Sequence, residues 1–305
     1  MTDRELTPVA RVVARIKQVY RGWGKTATIG QMRSDWDALF SGLPLAAAMA
    51  PVDVGGVPGA WFTAPGGRAD KVVLYFHGGG FSIGSTRSHA ELMSAMAAAG
   101  GCRVLGIDYR LLPEHRCPAP MEDASAAYAW LLTQGLRPAD IVLAGDSAGG
   151  GLVAVLLLAL RDAGQVVPAA GVMMSALTDF SASGASYETR SKLDPIHQRA
   201  LIQALARNYL GDRFDPRDPQ VSPLFADLHG LPPLLVQAGD CETVLSDTTD
   251  FADKARAAGV PVELEVWPDM IHVFQQFPDE LVQAREAVAS IGRFLRQTWD
   301  RTGPS

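Results

Sequence analysis

Ala144-Gly145-Asp146-Ser147-Ala148-Gly149-Gly150 is the stretch on which the reading of this chain turns. An apolar run, Ile141-Val142-Leu143, leads into it, and a long apolar segment, residues 152–160, leaves it. Strand, sharp turn and helix is the setting in which Gly-x-Ser-x-Gly presents a nucleophilic serine. The glycines have a steric reason. A serine held on a strained turn with its hydroxyl exposed needs neighbours without side chains, and Gly145 and Gly149 supply them. A helix starting at Ser147 also aims its unpaired N–H groups, and the positive end of its dipole, at any developing oxyanion. The competing reading is a glycine-rich turn that contains serine by chance, since short motifs do recur at random. The surrounding sequence has to discriminate.

Outward from that stretch, composition sets bounds. With 305 residues, 48% hydrophobic and 20% charged, the chain has ordinary globular composition and material for a large core. A net charge of −6 with a pI near 5.5 argues against nucleic acid or an anionic membrane as partner. Cys102, Cys117 and Cys241 are widely spaced and odd in number, which suits a reducing compartment. Neither Cys-x-x-Cys nor His-x-x-x-His occurs, so no metal or other cofactor is expected. Residues 1–10 are polar and mixed in charge, unlike a secretory signal. The run at 152–160 is about half the length needed to span a bilayer, so no transmembrane anchor is expected and the location is read as cytoplasmic.

Hydrophobic periodicity divides the chain. Residues 8–20 carry Val9, Val12, Val13, Ile16 and Val19 at helical spacing, and a second amphipathic piece covers residues 29–40. Both precede any strand. Residues 52–57 and 59–63 read as an antiparallel opening, and Lys71-Val-Val-Leu-Tyr-Phe-His77 as a strand buried on both faces. Strands and helices then alternate as far as a strand at 171–176, which predicts a mostly parallel sheet with helices on both faces. Alternation stops for about fifty residues that hold one amphipathic helix, 195–209, too long an interruption for an ordinary loop. It resumes with a strand at 234–238, a helix at 246–258, a strand at 262–267 and a last helix at 280–298. The division expected is N-terminal cap helices (1–45), core (46–180), a cap insertion (181–230) and the rest of the core (231–305), one functional domain overall.

A second motif, His77-Gly78-Gly79-Gly80-Phe81, directly follows an apolar strand. Consecutive glycines let backbone N–H groups approach a ligand closely. In acyl-transfer sites such a loop donates to the oxyanion together with the residue after the nucleophile, here Ala148. The same triplet alone would be an ordinary flexible loop, and His77 is not read as the base, which belongs late in the chain. After Ser147 the candidates for that base are His197, His229 and His272. His272 lies just past the last strand, where open α/β sheets place their sites. The acid belongs in Gly239-Asp240-Cys241-Glu242-Thr243-Val244-Leu245-Ser246-Asp247. Asp247 fits the first turn of the following helix. Asp240 and Glu242 remain, and the residues alone do not separate them.

Taken together, His77-Gly-Gly-Gly-Phe81, Asp108-Tyr-Arg-Leu-Leu-Pro-Glu114, Gly145-Asp-Ser-Ala-Gly-Gly150 and Met270-Ile-His272 resemble the bacterial hormone-sensitive-lipase-like (family IV) esterases of the α/β-hydrolase fold. The 239–247 loop looks most like the branch holding monoterpene lactone hydrolases and acetyl hydrolases. The resemblance runs from about Val52 onward. It implies a Ser147–acid–His272 triad, oxyanion donors at Gly79, Gly80 and Ala148, and a helical cap. Two positions depart from the family pattern. Leu112 stands where alanine is usual, for which a packing adjustment is expected. The family's acid is an aspartate thirty positions before the histidine, and that count reaches Glu242. Glutamate can orient imidazole as aspartate does, so Glu242 is preferred, with Asp240 as the alternative.

These readings imply a serine carboxylesterase that cleaves short-to-medium acyl esters through an acyl-enzyme. A lactone hydrolase and an acetyl hydrolase are the alternatives within the class. A non-catalytic small-molecule receptor is the alternative outside it, since plant gibberellin receptors resemble these esterases but lack the catalytic histidine. A serine peptidase would carry a large further domain. The partner is then a small ester or lactone. Val9, Val12, Trp23, Trp36 and the 196–209 helix either line an apolar entrance or pack as core, and the late strand at 262–267 offers an edge for a homodimer.

Overall fold

The computed structural model describes residues 6–302. Residues 1–5, part of the segment read as lacking a leader, and 303–305 lie outside the described residues. Two helices come first, α1 (Pro8–Gly22) and α2 (Ile29–Leu39). Each is opened by a threonine: Thr7 Oγ1 accepts from Ala10 N at 3.2 Å and Thr28 Oγ1 from Gln31 N at 3.1 Å, relieving an orphan donor of the first turn. Then follow β1 (Ala48–Val54), β2 (Val57–Thr63), β3 (Arg68–Phe76), α3 (Ala90–Gly100), β4 (Cys102–Ile107), α4 (Ala119–Thr133), β5 (Ile141–Asp146), α5 (Ser147–Asp162) and β6 (Ala170–Met174). A long connection carries α6 (Ser186–Thr189) and α7 (Arg199–Leu210). The chain completes with β7 (Leu234–Gly239), α8 (Leu245–Ala257), β8 (Val262–Trp267) and α9 (Val282–Thr302).

The eight strands form one sheet in the order β1-β2-β4-β3-β5-β6-β7-β8. β2 pairs antiparallel with β1 and β4, and every other pairing is parallel, because from β3 onward each return passes through a helix. Strand alternation splits the core in two. Val72, Leu74, Phe76, Ile141 and Leu143 pack with α4, α5 and α8, whereas Val73, Tyr75, Val142 and Ala144 pack with α3 and α9. With both faces covered, these strands read as unbroken apolar runs, each such side chain contributing about 1.5–3 kcal/mol by burial. Leu112, the residue out of pattern, is buried in the first of these clusters.

A third cluster lies apart from the sheet. Val12 and Ile16 of α1, with Trp36 and Phe40, pack on Ile83, Met270, Ile271, Phe274 and Phe277. The N-terminal helices therefore brace the loop that carries His272. Val9 and Val12 belong to this packing and are not among the residues lining the cavity over Ser147. The helix expected over 195–209 begins only at Arg199. Asp194 Oδ1 accepts from the N–H groups of Ile196 and His197, both at 2.8 Å, and holds residues 195–198 in a turn.

Candidate active site

β5 runs into the turn and delivers Ser147 at φ +52°, a left-handed conformation that costs a non-glycine residue on the order of 1–3 kcal/mol. The turn is tight against the end of β3. A Cβ on Gly149 would sit on the carbonyl oxygens of Phe76 and His77, so only glycine fits. Asp146, buried beside the serine, ties this turn to the glycine triplet: its carboxylate accepts from Tyr75 Oη at 2.6 Å and Gly78 N at 3.0 Å. His89 Nε2 lies 3.3 Å from the same carboxylate. Burial pushes the Asp146 carboxyl up, but the charge and hydrogen bond of His89 and the Tyr75 hydroxyl outweigh it and hold the group low.

The glycine loop turns through positive φ at Gly79 (+112°), Gly80 (+59°) and Phe81 (+54°). Gly79 O accepts from Ser82 N and Ile83 N, both at 3.1 Å, while no described group accepts from the N–H groups of Gly79 or Gly80. The N–H of Ala148, in the first turn of α5, has no intrahelical acceptor either. His77 faces elsewhere. Its ring stacks on Tyr109 at 4.2 Å and its Nδ1 lies 2.8 Å from Gly78 O.

His272 leaves the loop after β8 with its ring between two partners. Nε2 is 2.9 Å from Ser147 Oγ, and Nδ1 is 2.5 Å from Glu242 Oε2. Glu242 is fully buried, and its other oxygen accepts from Gly239 N at 2.6 Å and Ser175 Oγ at 3.0 Å. Ser175 Oγ in turn accepts from Val273 N at 3.0 Å, so one hydroxyl fixes both the acid and the histidine loop. Asp240 points away: its Oδ1 accepts from Asp269 N at 2.7 Å. Asp247 occupies the first turn of α8 as expected, and its Oδ2 accepts from Thr178 N and Asp179 N. His229 is exposed and paired with Asp227.

Burial pushes the His272 imidazole down. The charge and hydrogen bond of Glu242, helped by Asp194 and Asp146, push it up further, so it ends above the usual 6.5. His197 sits edge-on against it, ring centroids 4.2 Å apart. Burial, and then the proximity of His272, takes His197 down to about 3. Asp194 completes this side, its Oδ2 accepting from Thr243 N at 2.7 Å and Thr243 Oγ1 at 3.1 Å. Ser175, Asp194 and His197 are the polar residues of the site that motif reading passes over. Only His197 left a trace in the sequence, as a histidine downstream of the serine.

A cavity of about 280 Å³ opens over these groups. Gly79, Gly80, Ser147 and His272 form its floor, and Tyr20, Trp23, Trp36 and Phe40 join Ile202 and Leu205 of α7 in its walls. Among the described residues no group of three or more His, Cys, Asp or Glu side chains is placed to hold a metal ion. The arrangement can perform acyl transfer: a hydroxyl with a base, a base with a buried carboxylate, and free N–H donors beside them.

Residues 73–276 match a family model described as alpha/beta hydrolase fold. An acetyl-hydrolase from Streptomyces hygroscopicus is 43% identical over 245 residues, covering 80% of this chain and 81% of the relative. An esterase from Acinetobacter venetianus is 36% identical over 244 residues, covering 80% of each. The crystal structure of an esterase from the bacterial hormone-sensitive lipase family superposes with a TM-score of 0.91 at 46% identity, covering 96% of this chain and 98% of the other.

Proposed function

The chain belongs to the α/β-hydrolase family, as a carboxylic-ester hydrolase of the hormone-sensitive-lipase kind, and we propose that Ser147, His272 and Glu242 are its catalytic triad. The observation that carries this is the unbroken relay from Glu242 Oε2 to His272 Nδ1 at 2.5 Å and from His272 Nε2 to Ser147 Oγ at 2.9 Å. His272 takes the Ser147 proton as the hydroxyl attacks the ester carbonyl. The N–H groups of Gly79, Gly80 and Ala148 hold the oxyanion, each donor lowering the barrier by about 3 kcal/mol. His272 returns the proton to the departing alcohol, and water then cleaves the acyl-enzyme with the same base. The Glu242 carboxylate orients the ring and steadies the imidazolium.

The N-terminal helices and residues 181–230 act as a cap over this site, a reading supported by the walls that α1, α2 and α7 give the cavity. The substrate is a small ester with a short-to-medium acyl group. Acetyl esters are the favoured case within that range, since the Streptomyces relative carries that name. Among the described residues no helix is long and apolar enough to cross a membrane. Three free cysteines support a cytoplasmic location, and the outer edge of β8 supports a homodimer.

Wild type is expected to release a burst of nitrophenol from p-nitrophenyl acetate, and Ser147→Ala to give none. A burst retained in Ser147→Ala overturns the assignment. Glu242→Gln should lower kcat by about 10⁴-fold while Asp240→Asn stays far milder. The reverse order would make Asp240 the acid.

A further inference from the structure

Beside the catalytic cavity lies a second, of about 380 Å³. Ala148, Leu152, Val155, Ala159 and Asp162 line it, a single stripe of α5 at spacings of three and four. From Ala148 to Asp162 this stripe runs about 21 Å at 1.5 Å per residue. The opposite wall is aromatic: Phe81 stacks on Tyr209 at 4.1 Å, and Phe180 lies 5.6 Å from Tyr209. A mostly apolar cavity of this volume along the stripe has room for an alkyl chain.

Leu177 is the one described residue common to the walls of both cavities. Its backbone cannot drift. Leu177 N donates to Ser147 O at 3.0 Å, and its carbonyl oxygen fills the place of a Cβ on Gly151. The side chain is buried, so it stands as a partition between the serine and the second cavity.

We infer that Leu177 sets the acyl-chain length by walling off from Ser147 a second, mostly apolar cavity with room for an alkyl chain. This rests on Ser147 being the nucleophile. The mechanism then decides which half of the ester faces the partition. His272 must reach the departing oxygen, so the alcohol lies toward the 272–277 loop. The acyl substituent lies on the other side, past Ala148, and the second cavity is lined by Ala148 and by no residue of the histidine loop. With Leu177 in place, acyl groups stop at the partition. Without it, the two cavities join and the chain continues along α5.

The test is a series of p-nitrophenyl esters from acetate to dodecanoate, read as the ratio of kcat/KM for decanoate over butyrate. Wild type should prefer the short esters. Leu177→Ala should raise the ratio by about tenfold or more, the scale expected when a pocket gains room for several methylenes. Leu177→Val, a gentler truncation that guards against misfolding, should raise it less and in the same direction. Adding Val155→Trp to Leu177→Ala blocks the second cavity and should return the ratio to the wild-type value. The inference is overturned by a wild type that already favours decanoate, by no rise in either Leu177 variant, or by a gain that survives Val155→Trp. Labelling by a fluorophosphonate keeps the two readings apart. An unlabelled wild type sinks the nucleophile itself, whereas a labelled Leu177→Ala with an unchanged ratio sinks only the partition.

Discussion

As the proposed base, His272 would have to be neutral to take the Ser147 proton, yet its surroundings favour the charged form. Burial works against the charge, but Glu242, Asp194 and Asp146 outweigh it and raise the imidazole above 6.5. His197, taken down to about 3, is neutral across the working range and adds no opposing charge. The sign follows directly. A base with a raised pKa is lost to protonation sooner as pH falls, so the acid limb of kcat/KM should have its midpoint above about 6.5. Below that midpoint activity should drop tenfold per pH unit on an uncharged ester. Asp194→Asn removes one of the raising charges and should move the midpoint to lower pH. The same change weakens the hydrogen bonds to Ile196, His197 and Thr243 and should also lower the melting temperature. A pH–rate profile of the two proteins checks this, and an unmoved midpoint would show that the Asp194 charge does not reach the imidazole.

The elements that position the site are unequal in how they were encoded. β3, β5 and α5 are written locally, as apolar runs and a glycine-bearing turn, and the sequence places them to within a few residues. The start of α7 is not, because what stops the helix at Arg199 is a carboxylate whose other oxygen is engaged by Thr243. No local periodicity contains that tertiary bond. The N-terminal helices are intermediate: their stripe is plain, but its target, the loop from Met270 to Phe277, is visible only in the fold. That target makes them more than a cover. Trp36→Ala removes an aromatic packed on Phe40 at 5.2 Å, at a cost of about 3–5 kcal/mol if the hole does not collapse. We expect a lower melting temperature together with a fall in kcat/KM of more than about tenfold, since the hole opens both in the cluster that holds the His272 loop and in the cavity wall. Thermal unfolding followed in parallel with ester hydrolysis separates the two. A destabilised variant with full activity would show that α1 and α2 only shield the site.

At the scale of the whole molecule, chain order was enough to bring the serine, a carboxylate and the histidine to one end of the sheet. It was not enough to choose the carboxylate. Asp240 and Glu242 share one loop, and what sets their directions is the hook of Asp240 N on Trp267 O and of Cys241 N on Met270 O, contacts with a distant part of the chain. The same global order leaves two sheet edges, β1 and β8. β1 carries Pro51 and Asp53 and is mostly exposed, features that blunt an edge against further pairing. β8 has no proline. Its Glu265 is turned inward to Gln237 and Ser290, while Val266 is 40% exposed. The homodimer proposed above would therefore form at β8, where two copies can add strand to strand about a two-fold axis. Light scattering should give the mass of a dimer for the wild type and of a monomer for Val266→Lys, because facing lysines repel across such a seam. Val266 is not among the residues that line the cavity, so the monomer should still show the nitrophenol burst. A monomeric wild type, or a Val266→Lys protein that stays dimeric, would place any assembly elsewhere than this edge.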